Sequence, residues 1–259
     1  AKADTLKLDP YDALLDEYEP GGRSIHIDPL FDDLSSFLPR FTDRVLEYQR
    51  TTQPPPTING RFAASKQREL GKSLMTAIGF PFTHGRLDES HHPFSGGTSK
   101  DLRITTRYDE DDFTSALMAV LHETGHALYD YGLPENWRCQ PVGEALGMSI
   151  HESQSLLIEM QVCRSPEFIR SIAGMIRETF GKHDLALKED NLLRLYHRVE
   201  SSLIRVEADE VTYASHVILR YQLEKKIISG ELLPADLPSA WREGMRKFVG
   251  VEPPDDREG

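Results

Sequence analysis

Cysteine is scarce in this chain: Cys139 and Cys163 are the only two in 259 residues. Two cysteines make no disulfide framework, so a small stapled scaffold is excluded, and both thiols are expected to be reduced and structural. Long apolar runs are missing too. None approaches the ~20 residues that a membrane helix needs, so no membrane span is expected. Positive charge is in deficit, with 30 Lys and Arg against 42 Asp and Glu and a net charge of −12. A nucleic-acid surface would be basic, so a nucleic-acid partner is excluded, and basic substrates are mildly favoured. No signal peptide is visible, which points to the cytoplasm. Internal repeats and low-complexity blocks are absent. What remains is 28% charged and 39% hydrophobic, an ordinary mixture for a globular enzyme with a sizeable core.

Apolar spacing along the chain is mostly helical. Helices are expected over 10–18, over 30–50 with an interruption at Pro39, over 66–78, 168–179, 187–203, 207–229 and 235–249. The run Gln53-Pro54-Pro55-Pro56 breaks the chain as a stiff loop. One extended region stands out: 94–97 reads as a turn and 102–108 as a strand. The segment 252–259 is acidic and expected to be loosely held.

The stretch Leu121-His122-Glu123-Thr124-Gly125-His126 carries the pattern H-E-x-x-H within helical spacing set by Phe113, Leu117, Val120, Leu121, Leu128 and Tyr131. Asp111 or Asp112 caps that helix, and Gly132 and Pro134 stop it. At ~100° per residue, His122 and His126 lie only ~40° apart on one face, so both imidazoles reach one metal ion. Glu123 is one step round the helix, placed to meet an activated water without being a ligand. The pattern points to a zinc hydrolase.

A catalytic zinc site needs a third protein donor and one open position. The next candidates are His151 and Glu152, in a second helix beginning near Glu144 with an apolar stripe of Leu146, Ile150, Leu157 and Met160. Between His126 and Glu152 lie 25 residues, enough for a loop and an antiparallel return. Adjacent positions diverge by ~100°, so His151 and Glu152 cannot easily face one point. A Glu in this place completes the His-His-Glu set of zinc hydrolases and favours Glu152.

Several of these motifs together resemble the carboxypeptidase Taq family of thermostable metallocarboxypeptidases. Asp101-Leu102-Arg103-Ile104-Thr105 matches D-x-R-x-T, and His122–His126 matches H-E-x-x-H. His151-Glu152-Ser153-Gln154 matches H-E-S-Q, and Ile204-Arg205-Val206-Glu207-Ala208-Asp209 matches I-R-x-x-A-D. The text from His92-Pro93-Phe94-Ser95-Gly96-Gly97 to Leu219-Arg220-Tyr221 also reads like the family. On this resemblance the chain is expected to lack most of the family's helical N-terminal half. It starts at Ala1, and it stops at Gly259, where the remaining signature, G-x-x-Q-D-x-H-W, should begin.

The resemblance implies a mainly α fold: a helical zinc-metallopeptidase core with a small β element beside the active-site helix. It implies one domain over 1–259, with helices over 1–80, the β element and loops over 81–110, metal-site helices over 111–165 and cleft-lining helices over 166–259. One divalent metal ion is expected, zinc by preference with cobalt or manganese also suited, held by His122, His126 and Glu152. Glu123 would serve as general base. Arg205 is expected to bind the substrate's terminal carboxylate, because a guanidinium can do so bidentately. Asp101, Arg103 and Thr105 would shape the cleft, and His92 would donate to a substrate carbonyl. His216 and Tyr213 would either line the same cleft or pack into the core, and the apolar character of their helix favours the core.

Related zinc peptidases carry a carboxylate four residues after the ligand Glu to orient a histidine, but Leu156 stands there. Glu144, Asp209 or backbone carbonyls are expected to do that work instead. The substrates would be peptides with a free C-terminus, and the family suggests a homodimer. Two alternatives stay open: another His-His-Glu zinc peptidase, endo- or aminopeptidase, and a catalytically incomplete metal-binding fragment.

Overall fold

The computed structural model describes residues 1–182 and 184–257. In chain order the helices and strands are α1 (Lys2–Leu6), α2 (Pro10–Tyr18), α3 (Ser24–Arg50), α4 (Ala64–Ala77), β1 (Gly85–Glu89), β2 (Phe94–Thr98) and β3 (Asp101–Thr106). They continue with α5 (Phe113–Gly132), α6 (Met148–Leu156), α7 (Pro166–Phe180), α8 (Glu189–Tyr196), α9 (Tyr213–Ser229) and α10 (Leu237–Gly244). Helix dominates, with one small sheet, as expected. Among the described residues no helix is long and apolar enough to cross a membrane.

The chain groups into two compact units, Pro55–His197 and Ala1–Pro54 with Arg198–Gly259. The sequence suggests one domain. The first boundary falls inside the proline run, where missing N–H groups and fixed φ angles suit neither helix nor sheet.

Within Pro55–His197 the sheet has the order β1-β3-β2, with β1 parallel and β2 antiparallel to the central β3. Side chains alternate along β3: Leu102, Ile104 and Thr106 are buried while Asp101 and Arg103 are exposed. The buried face packs with Leu87 against Met75, Phe80, Val120 and Ala127. On its other side α5 presents Phe113, Leu117 and Leu121 to a larger core with Leu70 and Leu74 of α4 and Ile169, Ile172 and Ile176 of α7. Each fully buried leucine there stabilises the fold by about 1.5–3 kcal/mol. With two faces occupied, α5 is fixed in rotation. The stripe of His122, Glu123 and His126 is left half-buried on a third face.

Within the other unit, α9 packs Ile218, Leu219 and Leu223 against Leu38 of α3 and Met245, Phe248 and Val249, which follow α10 as a π-helical turn. Asp12 accepts from the backbone N–H of Ser24 at 2.8 Å and so satisfies a free donor at the start of α3.

Several sequence expectations need correction. Helix α3 runs unbroken through Pro29 and Pro39. Its flank there is largely exposed, so water can take the carbonyl that a proline leaves unpaired. Residues 94–97 are not a turn but most of β2, because the pairing with β3 supplies the ladder that local composition does not. The helix expected to 203 stops at Tyr196, and the one expected from 207 starts at Tyr213. Asp209 is the reason for the late start: its carboxylate accepts from the N–H groups of Glu200, Val211 and Thr212 and holds the segment as a loop. Over the expected loose tail, Glu252 pairs with Arg246 at 2.7 Å and Asp256 with Arg242 at 3.0 Å. Its last two residues lie outside the described ones.

Candidate metal centre

Asp112 starts α5. Its Oδ1 accepts from the Thr114 N–H at 2.8 Å, as an N-cap does. The H-E-x-x-H residues follow in mid-helix. The His122 and His126 rings sit 5.0 Å apart between centroids and meet nearly edge to face. Helix α6 starts at Met148, four residues later than expected, after a 3-10 turn over Pro141–Gly143. It approaches α5 through its small-residue side. Gly125 is so close to it that a Cβ at that position would stand 2.6 Å from the Cα of Ser155. The apolar stripe therefore points away: Leu146, Ile150 and Leu157 are exposed.

This packing faces Glu152 towards both imidazoles. Its Oε2 lies 3.3 Å from His126 Nε2 and 3.9 Å from His122 Nε2. One ligand atom from each of the three residues falls within 4.8 Å of the others. Tetrahedral ligands with bonds of ~2.0–2.1 Å stand roughly 3.4 Å apart, so two nitrogens and one carboxylate oxygen at these separations suit a small divalent cation. The Ser155 hydroxyl donates to the Glu152 carbonyl at 2.7 Å, which helps fix the turn that carries the carboxylate.

Both histidines turn Nε2 inward and Nδ1 outward. Behind His122, Nδ1 meets Glu159 Oε2 at 3.0 Å, and Arg164 holds the other carboxylate oxygen at 2.7 Å. Burial opposes charge on Glu159, but His122 and Arg164 outweigh it and keep the carboxyl below its usual range. The His122 imidazole is pushed upward in the same way: burial works against its charge, and the hydrogen bond and charge of Glu159 win. Behind His126, Nδ1 meets His151 Nδ1 at 2.7 Å, and His151 Nε2 meets Asp130 Oδ1 at 3.1 Å. His151, the alternative third donor, thus stands behind a histidine and not beside the donor trio.

Sequence reading missed Glu159, Arg164 and Asp130. Glu144 is exposed, and Asp209 is engaged with its own loop, so neither takes the supporting role expected of them. The position four after Glu152 is Leu156, as noted. Beyond it the chain widens into a π-helical turn, Leu157–Val162, which carries Glu159 to the back of His122. A Glu seven residues, two turns, after another was the available signal.

Glu123 is half-buried beside the trio. Burial raises its carboxyl above the usual range, and the charge of Glu152 adds to that, while His122, His126 and His92 act in the opposite direction. The His92 ring donates from Nδ1 to the Pro93 carbonyl at 2.6 Å. Thr105 Oγ1 lies 2.8 Å from Ser90 Oγ and donates to the His92 carbonyl at 3.2 Å, so it ties down the loop that carries this histidine. Asp101 and Arg103 pair with each other at 2.7 Å on the exposed face of β3. Arg205 belongs to the other unit, where it sits in a 3-10 turn, Arg205–Glu207. There it donates to the phenol oxygen of Tyr213 at 3.0 Å, with the guanidinium 5.7 Å from the ring centre.

Comparison with known proteins agrees with this geometry. Residues 1–259 match the carboxypeptidase Taq (M32) metallopeptidase family. The chain is 42% identical over 252 residues to thermostable carboxypeptidase 1 of Thermus thermophilus, covering 96% of this chain and 49% of that protein. It is 38% identical over 253 residues to carboxypeptidase 1 of Bacillus subtilis, covering 96% and 50%. Among solved structures, Trypanosoma cruzi metallocarboxypeptidase 1 superposes with a TM-score of 0.96 at 39% identity, over 100% of this chain and 54% of the other. The chain spans about half the length of the curated relatives it matches. With a family match along its whole length and the H-E-x-x-H and H-E-S-Q motifs folded into one His-His-Glu cluster, the chain belongs to the carboxypeptidase Taq (M32) metallopeptidase family.

Proposed function

We propose that this chain carries the hydrolytic centre of a metal-dependent carboxypeptidase, with His122, His126 and Glu152 as metal ligands and zinc as the metal. One observation carries the reading: Nε2 of both histidines and Oε2 of Glu152 converge on one point, with Glu123 half-buried beside them. Cobalt and manganese suit the same donors. A cation held there supplies polarisation of a peptide carbonyl and a water acid enough to lose a proton near neutral pH.

The rest falls to the chain's own side chains. Glu123 accepts the water's proton and returns it to the leaving amine. In support, it follows a ligand by one residue and so stands ~100° round the helix from it. Arg205 binds the terminal carboxylate of the substrate. In support, Arg205 is the arginine of the I-R-x-x-A-D match, and a guanidinium can hold a carboxylate bidentately. His92 donates to a substrate carbonyl by giving up its bond to the Pro93 carbonyl, since a neutral imidazole has a single N–H, and Asp101, Arg103 and Thr105 shape the cleft beside it. The substrates on this reading are peptides with a free C-terminus. A homodimer is carried by the family resemblance.

Two measurements test the reading. Peptides with free and amidated C-termini are compared as substrates; equal cleavage would mean an endo- or aminopeptidase. In E123Q the chain should keep its metal and lose at least about 100-fold in turnover, the scale of a general base. A variant with most of its activity ends the assignment of Glu123. A second reading, a metal-binding fragment without turnover of its own, is favoured by the chain's spanning about half the length of its curated relatives. Turnover by this chain with added zinc or cobalt dismisses that alternative.

A further inference from the structure

The two histidines of the cluster are backed by different devices. His122 is backed by a carboxylate, the usual partner of a metal-ligating imidazole. His126 is backed by a second imidazole. His151 Nδ1 stands 2.7 Å from His126 Nδ1, and the far nitrogen of His151 stands 3.1 Å from Asp130 Oδ1. All three side chains are largely shielded from solvent, and Tyr129 packs against the His151 ring at 5.0 Å.

Proton bookkeeping along this row has one solution for neutral rings. An ionised Asp130 only accepts, so His151 must carry its proton on Nε2. A neutral imidazole has a single N–H, which leaves His151 Nδ1 as a bare acceptor. The short approach of the two Nδ1 atoms then requires the hydrogen to come from His126. With its one proton on Nδ1, His126 has a lone pair on Nε2, the nitrogen that faces Glu152 at 3.3 Å. Resting on the metal-site reading above, we propose that Asp130 and His151 form a positioning relay that fixes His126 in the Nδ1–H tautomer and presents Nε2 to the metal.

The placement of the three residues supports a relay. Asp130 follows His126 by four residues on α5, one turn on and over the same face. His151 precedes Glu152 on α6, rotated from it by ~100°. One residue of α6 thus offers a donor to the metal point while its neighbour reaches round the back of His126. The relay also links α5 to α6 by a hydrogen bond on each side of His151, so the tautomer and the approach of the two helices are set together.

The test uses the full chain and cobalt, followed by its visible absorption during titration against a competing chelator. H151F removes the acceptor and keeps a ring. H151N puts an amide oxygen near the position of the lost Nδ1. The expected result is cobalt affinity weakened about 10–100-fold in H151F and restored to within a few-fold of the parent in H151N. Two-bond proton–nitrogen spectra of the chain loaded with diamagnetic zinc and labelled with 15N-histidine should show His126 protonated on Nδ1.

H151F binding cobalt as tightly as the parent chain, or H151N as weak as H151F, overturns the relay and leaves the metal site standing. A parent chain that takes up no cobalt overturns the metal-site reading itself. If H151F does not fold, the spectra of the parent decide: His126 protonated on Nε2 overturns the proposal.

Discussion

Gly125 of α5 lies directly against the backbone of Ser155 in α6; a Cβ on Gly125 would stand 2.6 Å from the Cα of Ser155 and 2.8 Å from the carbonyl oxygen of Gln154. No flexible side-chain end is there to give way. G125A is therefore expected to push apart the helices that carry His126 and Glu152. It should destabilise the fold by about 1–3 kcal/mol and weaken metal binding, as measured by denaturant unfolding and cobalt titration. Gly132, near the end of the same helix, has open space around its Cβ position, so G132A should leave both quantities unchanged.

Arg164 and Glu159 form an ion pair with 16% and 12% of their side chains exposed. R164M strands the carboxylate in a poorly solvated place with only His122 to answer it, and should cost on the order of 3 kcal/mol. Neutralising the acid as well, in R164M/E159Q, should recover part of that loss. Chemical denaturation of the single and double variants measures both; a single variant as stable as the parent would show that the pair is immaterial.

His216 is fully buried in α9, and burial together with the charges of Arg220 and Arg205 holds its pKa down to about 4. The unfolded chain binds a proton here more readily than the folded one. The stabilising contribution is therefore complete above the ordinary histidine value near 6.5 and is lost as pH falls from there towards 4. About 3 kcal/mol should disappear across that window. The melting temperature of H216N, measured against pH, should fall less steeply between pH 6.5 and 4 than that of the parent.

Cys139 is exposed, whereas Cys163 is fully buried, with its thiol pushed up to about 12 by burial and by the charge of Glu159. Thiolate is the reactive form, so a disulfide reagent should modify Cys139 promptly and Cys163 only after unfolding. Prompt reaction of both in the folded chain would contradict the packing around Ile169 and Ile172.

What the sequence determined by itself lay in short spacings. His122 and His126 share a face because the helical period puts them there, Asp112 caps because its carboxylate reaches a nearby N–H, and Leu102, Ile104 and Thr106 alternate inward because strands do. Tertiary structure decided the rest. Strand β2 exists through its partner, since Phe94-Ser95-Gly96-Gly97 has little preference of its own. Pro39 is tolerated because its flank of α3 is solvated. Glu159 reaches His122 through a π-helical turn, and His151 reaches His126 because a glycine lets two helices touch. These last contacts join residues 25 and 37 apart along the chain, and no backbone period links positions on separate helices; only the packed distance between the helix axes does.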